Sequence, residues 1–170
     1  MTTDEIIQLV QQYAGWCGID PGMAVEQARI ESANFAQDVI FGPTESPAHA
    51  RGLMQFTKGA WDQYGAGDFS NAFDIYANLD AWCQYMQDLM AMFGGDANKA
   101  LMAYVGGPAH VTGDSPIPPS QTAVNYAARI VAKASGPAPG AGNQPQDSGL
   151  SPWLIAGAIG LFLVVFMSRK

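Results

Sequence analysis

Positive charge is scarce in this chain: eight Lys and Arg stand against fifteen Asp and Glu, a formal net charge of −7. Two of those eight are Arg169 and Lys170, so the residues ahead of the C-terminus are more acidic still. Nucleic acid is held through clustered basic side chains that neutralise phosphates, and that class of partner is excluded. Cysteine is nearly absent. Cys17 and Cys83 lie far apart with no metal-ligand spacing, and the sequence leaves open whether they form a disulfide or stay as two buried thiols. Histidine is as rare, and His49 and His110 read as surface loop residues without ligand spacing. No phosphate-binding glycine motif, zinc motif, Ser/His/Asp arrangement or internal repeat occurs, so no cofactor and no metal are expected. Met1 to Ile7 lacks a basic segment followed by an apolar run, which predicts no secretory signal.

What is present is helical. An apolar fraction of 48% suffices for the core of one domain. Within Thr3 to Trp16, Ile6, Ile7, Val10, Tyr13 and Ala14 recur at three and four residue spacing and make one apolar face. Asp20-Pro21 reads as a cap and first helical residue, and the pattern Met23, Ala24, Gln27, Ala28, Glu31 continues to about Phe35. Glu31 therefore falls on or beside a buried face. A carboxylate there loses hydration and has a raised pKa, which suits a proton donor near neutrality; a helix-end carboxylate exposed to water fits the same periodicity. Phe41 to Pro47 is a loop, Ala50 to Gln55 a short turn or helix, and Thr57 a cap for the segment around Trp61. From Phe69 to Phe93 the stripe Ile75, Leu79, Trp82, Tyr85, Met86 predicts the longest helix of the domain, a core seam. Asp96 caps a helix from Ala97 to about Val105, Gly106-Gly107-Pro108 ends it, a loop follows to Pro119, and a last helix runs through Tyr126 and Ile130 to about Ala134.

Beyond that the composition changes. Nine of the fifteen residues from Ser135 to Gly149 are Gly, Pro or Ser, which predicts a flexible tether. Trp153 to Met167 is fifteen residues without a charge, extended by Leu150 to Pro152. At about 1.5 Å per residue such a segment covers roughly 27 Å, close to a hydrocarbon core of roughly 30 Å. The expected organisation is a domain over 1–134, a linker over 135–149, a transmembrane helix over 150–168 with a lipid bilayer as its partner, and a basic tail at 169–170.

Four motifs carry a resemblance that covers about Ile6 to Val131. They are Glu31-Ser32 at a helix end, Gly52-Leu53-Met54-Gln55, Ala103-Tyr104-Val105-Gly106-Gly107, and Gln121-Thr122 followed by Asn125-Tyr126. In this order they resemble the soluble lytic transglycosylase (SLT) family of the lysozyme-like superfamily. The resemblance implies an all-α, goose-type lysozyme-like domain, to which the tail adds a C-terminal transmembrane helix. It implies peptidoglycan glycan strands as substrate, cleaved between N-acetylmuramic acid and N-acetylglucosamine with closure of a 1,6-anhydro ring. Glu31 takes the place of the catalytic glutamate and Ser32 that of a residue orienting it or the substrate's N-acetyl group. Met54 and Gln55 belong to the motif lining the cleft, Tyr104 to sugar contacts, and Tyr126 to a hydrogen bond near Glu31. Val105 and Gln121 depart from the usual Asn and Glu, which implies altered affinity without loss of chemistry. A second carboxylate, Asp38 or Glu45, would instead fit a hydrolysing muramidase, and an inactive glycan-binding or structural membrane protein is a further alternative. Small size, no signal segment and a terminal anchor point to a virion component of a membrane-containing bacteriophage, touching virion membrane or vertex proteins and opening the wall during infection. The alternative setting is a bacterial inner membrane, facing the periplasm.

Overall fold

Side-chain caps decide where the longer helices begin. The Thr2 hydroxyl accepts the Glu5 N–H at 3.2 Å while the Glu5 carboxylate accepts the Thr2 N–H at 2.7 Å, and this reciprocal box starts α1 (Thr3–Cys17). Asp20 accepts the Met23 N–H at 2.7 Å and Pro21 supplies the first residue of α2 (Pro21–Glu31). After the short α3 (Gln37–Ile40), Thr57 caps α4 (Lys58–Tyr64). A 3-10 turn over Phe69–Phe73 leads to Asp74, which caps α5 (Ile75–Met92). Asp96 opens α6 (Ala97–Gly106), α7 (Pro108–Thr112) follows, and Ser120 opens α8 (Gln121–Ala134). These are the elements of a computed structural model, which describes residues 1–115 and 117–135.

The helices close on one another. α2 packs against α1 and α8, α8 also against α6, α6 against α5, and α5 against α1. Ile6, Val10, Ala28, Leu79, Trp82 and Ile130 fill the interior with essentially no exposure. Cys17, the last residue of α1, and Cys83 of α5 are joined in a disulfide, their Cα atoms 5.6 Å apart. The cysteines left open by the sequence are thus paired.

Four features depart from the expected elements. α2 stops at Glu31 rather than near Phe35. The long seam is interrupted at Asp74, whose carboxylate accepts the N–H groups of Tyr76 at 3.0 Å and Ala77 at 2.9 Å and so restarts the helix there. The stretch expected as a loop to Pro119 contains α7, which Pro108 opens because its fixed φ suits a first helical position. α3 was not anticipated, being a single turn.

The membrane part of the expected architecture is corrected. Among the described residues no helix is long and apolar enough to cross a membrane. The longest, α5, has 18 residues and carries Asp80, Gln84, Gln87 and Asp88 on its exposed side. Charged groups of that kind are costly in hydrocarbon. The fold is all-α with no spanning helix there, and the lipid-bilayer partner and the single-pass placement in a virion membrane or a bacterial inner membrane are withdrawn with it. The segment 150–168 from which those expectations came lies outside the described residues, as does the expected linker from 136 onward.

Candidate active site

Glu31 is the last residue of α2, on a helix whose Met23, Ala24 and Ala28 are buried. It keeps a partial opening to solvent. Its carboxyl is nevertheless largely desolvated, and burial pushes its pKa from 4.5 to about 7; the hydrogen bond from Tyr126 acts in the opposite direction and is the smaller effect. The Tyr126 hydroxyl donates to Glu31 Oε1 at 2.5 Å. α8 delivers that phenol because Ala123, Tyr126, Ala127 and Ile130 form its buried stripe. A neutral acid with a solvent opening is a group that donates a proton to something arriving from outside.

The end of α2 is built by Ser32. Its hydroxyl donates to the Ala28 carbonyl at 2.6 Å and accepts the Phe35 N–H at 3.0 Å, and it is fully buried. Both bonds go to backbone, so the hydroxyl shapes the chain behind Glu31. Ala33, Asn34 and Phe35 follow with φ of 51°, 62° and 62°, three successive left-handed residues without a glycine. Each costs on the order of 1 kcal/mol. Buried Phe35 under the Arg29 guanidinium, 5.2 Å away, and the Arg29 bond to Asn34 at 3.1 Å hold the turn. The Asn34 N–H reaches back to the Arg29 carbonyl at 2.8 Å and closes the helix end.

The Gly52-Leu53-Met54-Gln55 stretch is a tight turn between Arg51 and Phe56, which exchange backbone hydrogen bonds at 2.9 and 3.0 Å. Gly52 has φ +77°, and a Cβ there would collide with the Ala72 carbonyl and the Asn78 amide, so no other residue fits. Gln55 has φ +51° and donates its side-chain amide to the Gly52 carbonyl at 2.9 Å. Met54 is buried; its N–H is accepted by Asn78 Oδ1 at 2.9 Å and its carbonyl receives the Tyr104 hydroxyl at 2.6 Å. Tyr104 stands in the field of Glu31: burial chiefly, then the Glu31 charge, raises its pKa well above the ordinary phenol value. Tyr104 thus ties this turn to α6 within the field of Glu31. Its ring lies 5.1 Å from that of Tyr85, which stacks on Tyr64 at 4.6 Å.

Tyr126 bonds Glu31 directly, Tyr104 bonds the Met54 carbonyl within the field of Glu31, and Ser32 serves the backbone. The other two acidic candidates are occupied elsewhere. Glu45 pairs with His49 at 3.0 Å and with Arg51 at 2.6 Å, which hold its pKa below the usual carboxylate value. Asp38 accepts the Thr44 hydroxyl at 2.8 Å on an exposed segment. Of the two departures, Val105 is buried in the core and Gln121 is exposed, bonded to Asn125 at 2.9 Å. Sequence reasoning missed Asn78, which also donates to the Ala72 carbonyl at 2.8 Å, and Gln27, which accepts the Trp82 indole N–H at 3.0 Å. The available signal was a polar residue interrupting an apolar face, Asn78 between Ile75 and Leu79.

One buried, proton-bearing glutamate at a helix end, under a tyrosine from a second helix, places the protein among the lysozyme-like helical domains. More narrowly, the Transglycosylase SLT domain family matches residues 8–118, more than half of the chain, and the protein belongs to that family. The match ends before Tyr126. Among solved structures the chain is similar to the lytic transglycosylase Slt of Pseudomonas aeruginosa, determined as an inactive glutamate-to-glutamine mutant, with a TM-score of 0.61 and 18% identity over 75% of this chain. That likeness is one of fold. The chain spans 23% of that protein.

Proposed function

We propose that this protein is a peptidoglycan lytic transglycosylase that cleaves the β-1,4 bond between N-acetylmuramic acid and N-acetylglucosamine without water. The observation that carries the reading is Glu31, a single desolvated carboxyl with a pKa of about 7 and one side-chain partner, Tyr126. Ordinary glycosidases set a second carboxylate across the sugar. Here Glu45 is tied to Arg51 and His49, and no second carboxylate enters the balance at Glu31. One group then serves twice. Neutral Glu31 gives its proton to the glycosidic oxygen as the bond to C1 breaks, and the substrate's own N-acetyl oxygen stabilises the positive charge left on the muramic ring. The Glu31 carboxylate next takes the proton of the C6 hydroxyl while O6 bonds to C1, which closes the 1,6-anhydro ring and restores the acid. Tyr126 holds Glu31 in place, and Gln55, Tyr104 and the Met54 turn line the glycan path.

Mass spectrometry of digested sacculi tests this. The expected fragments end in anhydro-muramic acid. Fragments heavier by one water, with reducing muramic ends, would replace the assignment with a hydrolysing muramidase, and binding to sacculi without any release of fragments would leave a glycan-binding protein. The virion setting rested on the membrane segment and is not carried into this reading.

A further inference from the structure

Gln27 lies one helical turn before Glu31 on α2, on the same face, and is fully buried. Its carbonyl oxygen accepts the indole N–H of Trp82, from α5, at 3.0 Å. An indole nitrogen only donates, so this bond decides which end of the amide is which: the oxygen faces Trp82 and the NH2 group faces away from it. The buried Nε2 has no hydrogen-bond partner at ordinary distance. A buried donor in that condition is costly, and it seeks the nearest acceptor. The phenol oxygen of Tyr126, held on Glu31 at 2.5 Å, lies across the α2–α8 packing from it; burial chiefly, then the Glu31 charge, raises the Tyr126 pKa, and the Gln27 amide opposes them as the smallest effect.

We propose that Gln27 is a positioning residue for the reaction, its amide N–H directed at the Tyr126 oxygen so that the phenol proton is committed to Glu31 Oε1. The inference rests on the reading of Glu31 as the acid, and it supplies a direction that reading lacks. A phenol and a neutral carboxyl pair in two ways. Either the phenol donates to the carboxyl, or the carboxyl donates to the phenol oxygen and its proton is turned away from the substrate. A donor already seated on the phenol oxygen opposes the second arrangement. The order Trp82 to Gln27 to Tyr126 to Glu31 then runs one way, each group donating to the next, and leaves the Glu31 proton on Oε2 for the glycosidic oxygen. The other groups about Glu31 do not supply this. Tyr104 of α6 spends its proton on the Met54 carbonyl, and Arg29 of α2 is bonded to Glu26 at 3.3 Å and Asn34 at 3.1 Å.

The test is a double-mutant cycle in the full chain, with the Glu31 titration followed by NMR of its carboxyl carbon alongside kcat and KM. Gln27→Met should displace the Glu31 midpoint upward, because a phenol free to turn no longer favours the carboxylate. It should also lower kcat about tenfold with KM little changed. In a Tyr126→Phe background the same substitution should add nothing. Gln27→Glu keeps an oxygen for Trp82 and serves if the Met variant does not fold; its displacement of the midpoint should likewise shrink in the Tyr126→Phe background, whereas a plain charge effect would persist. An unmoved midpoint in Gln27→Met, or an equal displacement with and without Tyr126, would overturn the proposal. Full wall-cleaving activity in Glu31→Gln would instead remove the acid role of Glu31, and the titration would still read the Gln27 chain independently of turnover.

Discussion

The carboxyl of Glu31 stays protonated up to about pH 7 because burial, opposed only in part by Tyr126, penalises its charge. Activity that needs the acid form is therefore present below that value and falls as pH rises through about 7. Stability carries the same sign. Between the ordinary value of 4.5 and about 7 the folded protein holds a proton that the unfolded chain has released, so the contribution of this group is full below 4.5 and declines as pH climbs to about 7. Glu31→Gln keeps the shape and cannot ionise. It should abolish cleavage, and it should melt above wild type at pH 8, by on the order of 2–3 kcal/mol, with the gain vanishing near pH 4.5. Thermal melts of both proteins across that range check it. A variant less stable than wild type at pH 8 would mean that the carboxylate is well solvated in the fold.

At the scale of elements, the start of α2 is legible in the sequence and its end is not. Asp20-Pro21 announces a helix through local chemistry, a carboxylate for the Met23 N–H and a proline with the right φ. The end is made by Ala33, Asn34 and Phe35 in left-handed conformation; Asn34 suits it, but Ala33 and Phe35 carry no such mark, and the Ser32 hydroxyl together with the burial of Phe35 imposes it. The spacing that put Glu31 beside a buried face is likewise local, whereas the approach of Tyr126 across 95 residues depends on how α8 packs on α2. The roles of Asn78 and Gln27 were not legible for the same reason: spacing predicts burial, and which polar residue is satisfied inside a buried face is settled by partners distant in sequence. The resemblance supplied the role of Ser32 as an orienting group, and the geometry suggests a different test. Ser32→Ala strips the buried Phe35 N–H of its acceptor, which costs roughly 1–3 kcal/mol. The variant should melt lower and lose turnover with an unchanged pH midpoint. A Ser32→Ala protein as stable as wild type but inactive would return the hydroxyl to the substrate.

For the molecule as a whole, α5 is the part on which the site depends. Asn78 holds the Met54 turn, Trp82 holds Gln27 on α2, and Tyr85 lies against Tyr104 on α6. Cys83, between them, ties α5 to the last residue of α1, and the Gln87 amide donates to the Cys17 carbonyl at 3.1 Å beside the bridge. A cross-link over a sequence separation of 66 restricts the unfolded chain by roughly 4 kcal/mol on the loop-entropy view, a large fraction of the stability of a domain this size. The bridge also fixes α5 relative to α1, and α1 packs on the helix that carries Glu31. It touches none of the groups at the acid, however, so its loss should act on the population of folded protein and not on the chemistry. Reductant, or Cys17→Ser with Cys83→Ser, should lower the melting temperature markedly and leave kcat unchanged well below the new midpoint. Thiol titration of the native protein should find neither Cys17 nor Cys83 reactive before unfolding. An unchanged melting temperature after reduction would show that the helix packing alone holds α5 against α1, and a fall in kcat at temperatures where the reduced protein is fully folded would show that the staple positions the site directly.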